Sequence, residues 1–217
     1  MKLFFDTETT GLPRWDTNET SPLQPRMVQL GMIVTEDDGN VVFSLGSIIR
    51  VEEPIPDAAA VVHGITTEIS QSRGLPITIL LDLFYGWARR CDEIIAHNIK
   101  FDRLVISSEL SRLGLTFPPK AQFCTMLAST GLCKIPKRNG YKWPKLSEAY
   151  EFFFGEPLKD AHDALVDVQA CKRIYFEGLK PQNDCGAANS LKGSFNAPIF
   201  EPPKSLVSVL IEATKPV

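Results

Sequence analysis

The chain has 217 residues, enough for one sizeable hydrophobic core with appendages. Its 44% hydrophobic residues are ordinary for a globular domain, and no segment approaches the ~20 consecutive apolar residues of a membrane helix. A net charge of −3 does not indicate an obvious nucleic-acid-binding protein, because affinity for phosphates comes largely from Lys and Arg. The five cysteines contain no C-x-x-C pair, which argues against a structural zinc site and a disulfide framework. Without a secretory signal pattern, we expect a cytoplasmic protein with no membrane association.

Three strands are predicted at the start of the chain. Residues 2–6 are an apolar and aromatic run, and Met27–Thr35 and Val41–Val51 are further apolar runs separated by a turn that contains Asp-Gly. Residues 13–26 are polar and rich in proline, which predicts a long loop between the first two strands. The pattern indicates an antiparallel meander.

The middle of the chain alternates helices and strands, which predicts an α/β fold with a mixed sheet. Asn98 and Asp160 are suitable N-cap residues for two of the helices, and Gly178 would stop the last one. The predicted helices span 57–62, 77–91, 99–114, 147–154 and 161–177, and the predicted strand spans 93–96.

Two segments differ in composition from this body. Residues 134–145 hold five basic residues, two aromatic residues and no acid. After residue 180 the sequence turns to Asn, Gly, Ser and Pro, which is typical of a linker, before a short apolar run at Leu206–Ile211.

The first candidate site is the pair Asp6 and Glu8. Side chains two positions apart on a strand point to the same face, so these carboxylates converge. Two adjacent carboxylates repel each other unless a cation lies between them, and hard oxygen ligands suit Mg²⁺ or Mn²⁺. An exposed D-x-E on a solvated strand is the alternative.

Two further sites follow strands or begin helices. Asp102 lies near the start of a predicted helix, where complementing the helix dipole would be a sufficient explanation. His162 falls in the first turn of the last predicted helix, with Asp167 five residues on, about 140° around the axis and ~7.5 Å along it. These two side chains share no face but can border one cleft. Asp167 lies among apolar residues and needs a partner, which a metal would supply.

In this order, the strings resemble the three motifs of the DEDDh family of RNase H-like 3′–5′ exonucleases. The chain differs at Cys124-Thr125-Met126, where family members often have Asp-Thr-Leu. The matching strings are FDTETTG at 5–11, HNIKFD at 97–102 and AHDALVD at 161–167, with MVQLG at 27–31 and VHGIT at 62–66 as lesser similarities.

The resemblance implies an RNase H-like fold with a central mixed five-stranded sheet, its first three strands antiparallel, flanked by helices. It implies an exonuclease domain over 1–180 and leaves 181–217 as a linker-like extension. Two divalent cations, Mg²⁺ or Mn²⁺, would be bound by Asp6, Glu8, Asp102 and Asp167, and His162 would be the general base. The product would be a nucleoside 5′-monophosphate released from a 3′ end.

Ten residues are candidates for substrate binding. Six follow from the resemblance, and four lie in the basic segment 134–145, whose aromatic side chains can stack on bases while its cations meet phosphates. For Phe101 the alternative is core packing, and for the basic segment a solvated loop. The candidates are Thr7, Thr9, Leu12, His63, Asn98, Phe101, Lys137, Arg138, Tyr141 and Trp143.

Single-stranded DNA ends are the favoured substrate, with a 3′–5′ exoribonuclease or oligoribonuclease of the same family as the enzymatic alternative. A non-catalytic nucleic-acid-binding adaptor is the alternative from another class, although an adaptor would not need a complete set of acids. Residues 181–217 could attach a polymerase or form a homodimer contact, or add a strand or helix to the domain.

Overall fold

A five-stranded sheet forms the centre of the computed structural model, which describes residues 1–179. The strands are β1 (Lys2–Thr9), β2 (Met27–Thr35), β3 (Val41–Ile48), β4 (Glu93–Ala96) and β5 (Ala121–Cys124). They lie in the order β3-β2-β1-β4-β5; β1, β2 and β3 pair antiparallel, whereas β1, β4 and β5 pair parallel. The predicted mixed sheet with an antiparallel first trio is confirmed.

Seven helices flank this sheet within the described residues. They are α1 (Asp57–His63), α2 (Thr67–Arg73), α3 (Ile77–Arg90), α4 (Ile99–Arg112), α5 (Thr125–Cys133), α6 (Leu146–Phe154) and α7 (Ala164–Arg173), which continues as a π-helical turn over Ile174–Leu179. Within residues 1–179, none of these helices has the length and apolar character needed to cross a membrane. The predicted extension 181–217 lies outside the described residues.

The last helix begins later than the sequence predicted. Asp163, and not Asp160, is the N-cap of α7, because its carboxylate accepts the backbone N–H groups of Leu165 and Val166. Asp160 and His162 have φ angles of 53° and 74°, which an α-helix cannot contain. His162 therefore lies in the turn before α7, and its predicted place in the first helical turn was wrong.

Other boundaries of strands and helices also differ from the predicted ones. β1 runs on to Thr9, three residues beyond the predicted end, so Asp6 lies within the strand and not at its end. The predicted stop at Gly178 was wrong, because the chain continues through it as part of the π-helical turn. Helices α2 and α5 and strand β5 had no predicted counterpart, since each is short and weakly periodic.

The two faces of β1 pack against different helices. Leu3 and Phe5 point into the main core, where Phe5 meets Phe84 of α3 with ring centroids 5.2 Å apart. Phe4 points to the opposite face and packs with Val168 of α7. Asp6 and Glu8 share the face of Phe4 by strand alternation, so the sheet directs both carboxylates toward the α7 side.

Two paired glycines let α7 lie directly on the sheet. Gly31 of β2 pairs with Asp6 on one side and Gly46 on the other. A Cβ atom at Gly31 would lie 2.3 Å from the backbone oxygen of Ala164, and one at Gly46 would lie 2.7 Å from the Cβ of Leu165. The first turn of α7 thus reaches the strand beside Asp6.

We predict that Gly31→Ala destabilises the protein, because the added methyl group collides with helix backbone that cannot move without displacing α7. Overpacking of this kind costs about 1–3 kcal/mol or more, and a fall in Tm measures it.

Gly86→Ala is the matched control, since a Cβ there meets nothing within 4 Å on an exposed helical position. It should stabilise the fold by about 0.4–1 kcal/mol. A Gly31→Ala protein with unchanged Tm would show that α7 is not held against the sheet.

Candidate active site

Four acids that are far apart in sequence come from three elements of the fold. Asp6 and Glu8 project from β1, Asp102 from the first turn of α4 and Asp167 from the first turn of α7. Asp102 and Asp167 are only 2% and 8% exposed, and Asp6 and Glu8 are partly buried. The structure therefore brings together all four acids named from the sequence.

Asp102 is held in place by β1. Its Oδ1 atom accepts the backbone N–H of Thr7 at 3.0 Å and the Thr7 hydroxyl at 2.8 Å. Asn98 makes the turn from β4 into α4 in the left-handed region at φ 74°, which asparagine tolerates better than most residues. Asn98 occupies the N-cap position as predicted, but its side chain makes no capping hydrogen bond.

Asp167 has one oxygen with a partner and one without. Its Oδ2 accepts the backbone N–H of His162 at 3.2 Å, whereas its Oδ1 is buried and has no hydrogen-bond partner among the described residues. A buried carboxylate oxygen without a partner costs free energy unless a cation or water meets it. This oxygen is the clearest local sign of a cation site.

The predicted base lies next to two of the acids. Glu8, His162 and Asp167 each offer one possible ligand atom, and these three atoms lie within 4.8 Å of one another. The His162 side chain is exposed, so its imidazole can meet a reactant arriving from solvent. The positive φ of His162 turns the residue toward the acids before the helix begins.

The crowding of the acids shows in their protonation. Burial, and then the negative charge of Asp102, raises the pKa of Asp6 well above its ordinary value. Burial likewise raises the pKa of Glu8 to about 8, of Asp102 to about 7 against the opposing hydrogen bonds from Thr7, and of Asp167 to about 6. Burial is the largest cause of each shift, because removal from water disfavours the charged form of a carboxylate.

The donor set fits divalent cations of the Mg²⁺ class. It is dominated by carboxylate oxygens, it carries an excess of negative charge, and it contains the unpartnered oxygen of Asp167. Within residues 1–179, no Lys or Arg forms an ion pair with any of the four acids, so the described chain supplies no cation of its own.

A cleft of about 430 Å³ opens beside Glu8 and is mostly apolar. It contains four of the predicted substrate-binding residues: Thr9, Leu12, His63 and Phe101. Leu12 is 83% exposed, whereas Phe101 also packs against the main core, as the core-packing alternative predicted, and its contact with substrate stays a prediction. His63 accepts the Ile65 N–H at Nδ1 and donates from Nε2 to the Thr9 carbonyl at 3.3 Å.

Of the other six predicted substrate residues, Asn98 lies at the turn into α4, and the remaining five fall into two groups. Thr7 is buried and engaged with Asp102, so its side chain positions an acid and does not face the cleft. The basic residues Lys137 and Arg138 and the aromatic residues Tyr141 and Trp143 are all exposed, on the loop between α5 and α6.

His97 connects that loop to the site. Its Nε2 donates to the Pro144 carbonyl at 3.0 Å, which leaves Nδ1 to accept the Thr125 hydroxyl at 3.0 Å. Burial lowers the pKa of His97 to about 4, so it is a neutral structural histidine. Thr125, in the segment where the chain departs from the family pattern, was missed because a lone threonine carries no sequence signal.

Gln29 and Asp163 are further site residues that the sequence did not indicate. The Gln29 amide donates to the Asp163 carboxylate at 3.0 Å and accepts the Ala164 N–H at 3.2 Å. These bonds fasten the turn containing His162 to β2. Gln29 within an otherwise apolar strand was the available signal, since a buried amide needs partners.

The model of the exonuclease family matches residues 3–175. Escherichia coli exonuclease I in complex with a dA16 oligonucleotide is similar with a TM-score of 0.66 and 18% identity, over 83% of this chain and 41% of that chain. The zinc-bound form of the Escherichia coli exonuclease I complex with single-stranded DNA is similar with a TM-score of 0.65 and 19% identity, over 84% of this chain and 41% of that chain. The chain thus spans less than half of these structures, and no curated sequence matches it.

The raised pKa values predict how the metal-free protein responds to pH. The stability that comes from protonated acids is fully present below their ordinary pKa values of 3.8 and 4.5. It is lost as the pH rises through the raised values, which are about 6 for Asp167, about 7 for Asp102 and about 8 for Glu8. In EDTA, Tm should therefore fall across this range.

Asp6→Asn removes one of the repelling charges, so it should flatten this dependence and raise Tm near pH 8 in EDTA. Glu151→Gln, on the exposed surface of α6, should change nothing. A wild-type Tm that rises between pH 5 and pH 8 in EDTA would contradict the assignment of a strained acid cluster.

Proposed function

Since the chain belongs to the exonuclease family, within the DEDDh group of RNase H-like 3′–5′ exonucleases, we propose that it removes nucleotides from single-stranded DNA in a metal-dependent reaction. The observation that carries the proposal is the buried cluster of four acids with the unpartnered oxygen of Asp167. Single-stranded DNA is the favoured substrate because the similar exonuclease I structures were obtained with single-stranded oligonucleotides.

Two divalent cations, Mg²⁺ or Mn²⁺, would be held by the four acids. Asp6, Glu8 and Asp167 would hold one ion, and Asp6 would also reach the second, which Asp102 supports. The chemistry supplied by bound ions would be activation of the attacking water and stabilisation of the leaving oxygen. The hydroxyl and N–H of Thr7 fix the orientation of Asp102, so that carboxylate would meet its ion without reorganising.

His162 is the proposed general base. Its imidazole would accept the proton of the attacking water, which is the role histidine most often takes in general-base catalysis. The Asp167 carboxylate accepts the His162 backbone N–H, which holds the base beside the acids while leaving its ring free. One phosphodiester bond would break, with release of a nucleoside 5′-monophosphate.

Substrate would be bound on both sides of the acids. The mostly apolar cleft beside Glu8 suits the base and sugar of the terminal nucleotide, against Leu12, His63 and Phe101. Asn98, at the turn into α4, would contact the same nucleotide. The exposed basic loop over residues 134–145 would bind phosphates upstream, and His97 anchors that loop to the end of β4.

A time course on 5′-labelled oligonucleotides tests the proposal directly. Single- and double-stranded DNA and matched RNA should be compared with Mg²⁺, with Mn²⁺ and with EDTA. We expect a ladder that shortens from the 3′ end of single-stranded DNA, and no cleavage in EDTA. Equal or faster RNA digestion would favour the exoribonuclease alternative, and binding without cleavage would favour the adaptor.

Cellular location and partners stay predictions. A cytoplasmic protein was expected from the sequence, and attachment of a polymerase or a second copy through residues 181–217 was considered. Truncation after residue 180 with unchanged hydrolysis and Tm would support a separate extension.

We predict that His162→Ala lowers the rate of hydrolysis ~10²–10⁴-fold, because proton transfer from water loses its acceptor. Tm and Mn²⁺ binding should stay close to wild type, since the exposed imidazole adds little to packing. The measurement is single-turnover cleavage of a 3′-labelled oligonucleotide.

Lys159→Ala, an exposed cation in the same connection before α7, is the control and should leave the rate unchanged. Near-normal turnover by His162→Ala would remove His162 from the role of base.

Charge reversal in the basic loop should weaken substrate binding without touching the chemistry. Lys137→Glu combined with Arg138→Glu should raise KM and flatten its salt dependence, with kcat nearly unchanged, because phosphate contacts release counterions. Arg73→Glu, a single charge reversal at an exposed position at the end of α2, serves as the control outside the loop. A KM equal to wild type at every salt concentration would identify residues 134–145 as a solvated loop.

A further inference from the structure

A second groove lies on the outer side of α4, next to the long loop over residues 13–26. Its volume is about 270 Å³. The side chains at its edge include an aromatic ring, two cations, an acid, an amide and a hydroxyl, which belong to Trp15, Lys100, Arg103, Glu19, Gln122 and Ser107. None of these six residues has a part in the acid cluster.

Ser107 is the groove residue that packing does not explain. It is 2% exposed, and its hydroxyl has no hydrogen-bond partner among the described residues. Its neighbour Ser108 donates to the Leu104 carbonyl at 2.8 Å, the usual way for a helical serine to be satisfied. Because Ser107 lines the groove, a ligand atom that reached its buried, unpartnered hydroxyl would remove a free-energy cost.

Trp15 presents an aromatic surface at the groove. The Lys100 ammonium lies 4.8 Å from the centre of its ring, yet the residue is still 53% exposed. Exposed tryptophan beside cations is the combination that stacks on nucleobases and meets phosphates. Arg103 supplies the second cation, next to Phe117 with its guanidinium 5.6 Å from the ring centre.

The loop that carries Trp15 is held in shape from within. The Gln24 amide bonds to the Arg14 N–H and carbonyl, at 3.1 and 2.9 Å. Glu109 of α4, 2% exposed, accepts the Arg26 Nε at 3.0 Å and the Met27 N–H at 2.9 Å. These contacts hold both ends of the loop in place, so they fix the position of the segment that carries Trp15.

The groove and the cleft beside Glu8 are built from the same two stretches of chain. Leu12 and Phe101 line the cleft, and Trp15 and Lys100 line the groove. Consecutive residues of α4, Lys100 and Phe101, thus belong one to each opening, which places the groove next to the cleft.

We propose that this groove is a second nucleotide-binding site, which takes an upstream nucleotide of the same single strand. Trp15 stacks on its base, Lys100 and Arg103 meet its phosphates, and Ser107, Gln122 and Glu19 bond to the base edge. This inference rests on the proposed exonuclease function for its substrate class. The site would add binding energy for oligonucleotides that are longer than the cleft alone can hold.

Equilibrium binding in EDTA separates this site from catalysis, because no hydrolysis occurs. The probes are a 5′-fluorescein-labelled deoxyadenylate dodecamer and the corresponding dimer, followed by anisotropy. Trp15→Ala should weaken dodecamer binding about tenfold and leave the dimer unaffected. Arg103→Gln should reduce the slope of log affinity against log salt by about 0.7 for the dodecamer.

Arg90→Gln is the matched control, because Arg90 is also an exposed arginine beside an aromatic ring, 5.5 Å from the centre of Trp87. It should change neither affinity nor slope. Ser107→Ala should raise Tm, because an unpartnered hydroxyl is removed, and should still weaken the dodecamer. Ser108→Ala should lower Tm and leave affinity unchanged.

Two outcomes would overturn the inference. Wild-type affinity of Trp15→Ala and Arg103→Gln for the dodecamer, in a protein that digests DNA, would exclude the groove while the exonuclease function stands. A Ser107→Ala protein with raised Tm and unchanged affinity for the dodecamer would show that this hydroxyl binds no nucleotide and is only a packing defect. A wild-type protein that neither binds nor digests single-stranded DNA would instead reject the proposed function.

Discussion

The mutual repulsion of four poorly solvated carboxylates is the constraint on which the rest of the site depends. Asp6 lies at the centre, where burial and the charges of Asp102, Asp167 and Glu8 all raise its pKa. Like charges this close persist only when the surrounding fold holds them and a cation compensates them. The strands and helices around the cluster can therefore be understood as the framework that keeps this arrangement in place.

That framework uses small features of the backbone. Gly31 and Gly46 have no side chain that would keep α7 away from the sheet, so α7 packs closely and Asp167 lies near Asp6. Thr7, pointing to the opposite face of β1, holds Asp102 through two hydrogen bonds. Gln29 and Asp163 fix the turn before α7, which allows His162 to adopt a positive φ beside the acids. Each contact is short-range, and together they leave the His162 ring exposed.

The sequence predicted the acids, the family and the mixed sheet with its first three strands antiparallel, because these depend on motif strings and on apolar periodicity. Family membership is confirmed by the match over residues 3–175. The turn before α7 could not be predicted, since helix propensity over 161–163 gives no sign of the left-handed His162 or of the Gln29 contact. The long-range hydrogen bonds of Thr125 and the groove that Ser107 lines depend on which elements become neighbours, and that information is not local.

Binding of divalent metal is the central claim, and calorimetric titration of metal-free protein with Mn²⁺ near pH 8 tests it most directly. The account predicts saturable binding of two ions with release of protons, because the acids with raised pKa values must ionise to coordinate. Asp6→Asn should abolish at least one of the two binding events, while Asp57→Asn, on the exposed first turn of α1, should abolish neither. A wild-type protein that binds no Mn²⁺, or binds it equally after Asp6→Asn, would contradict the account.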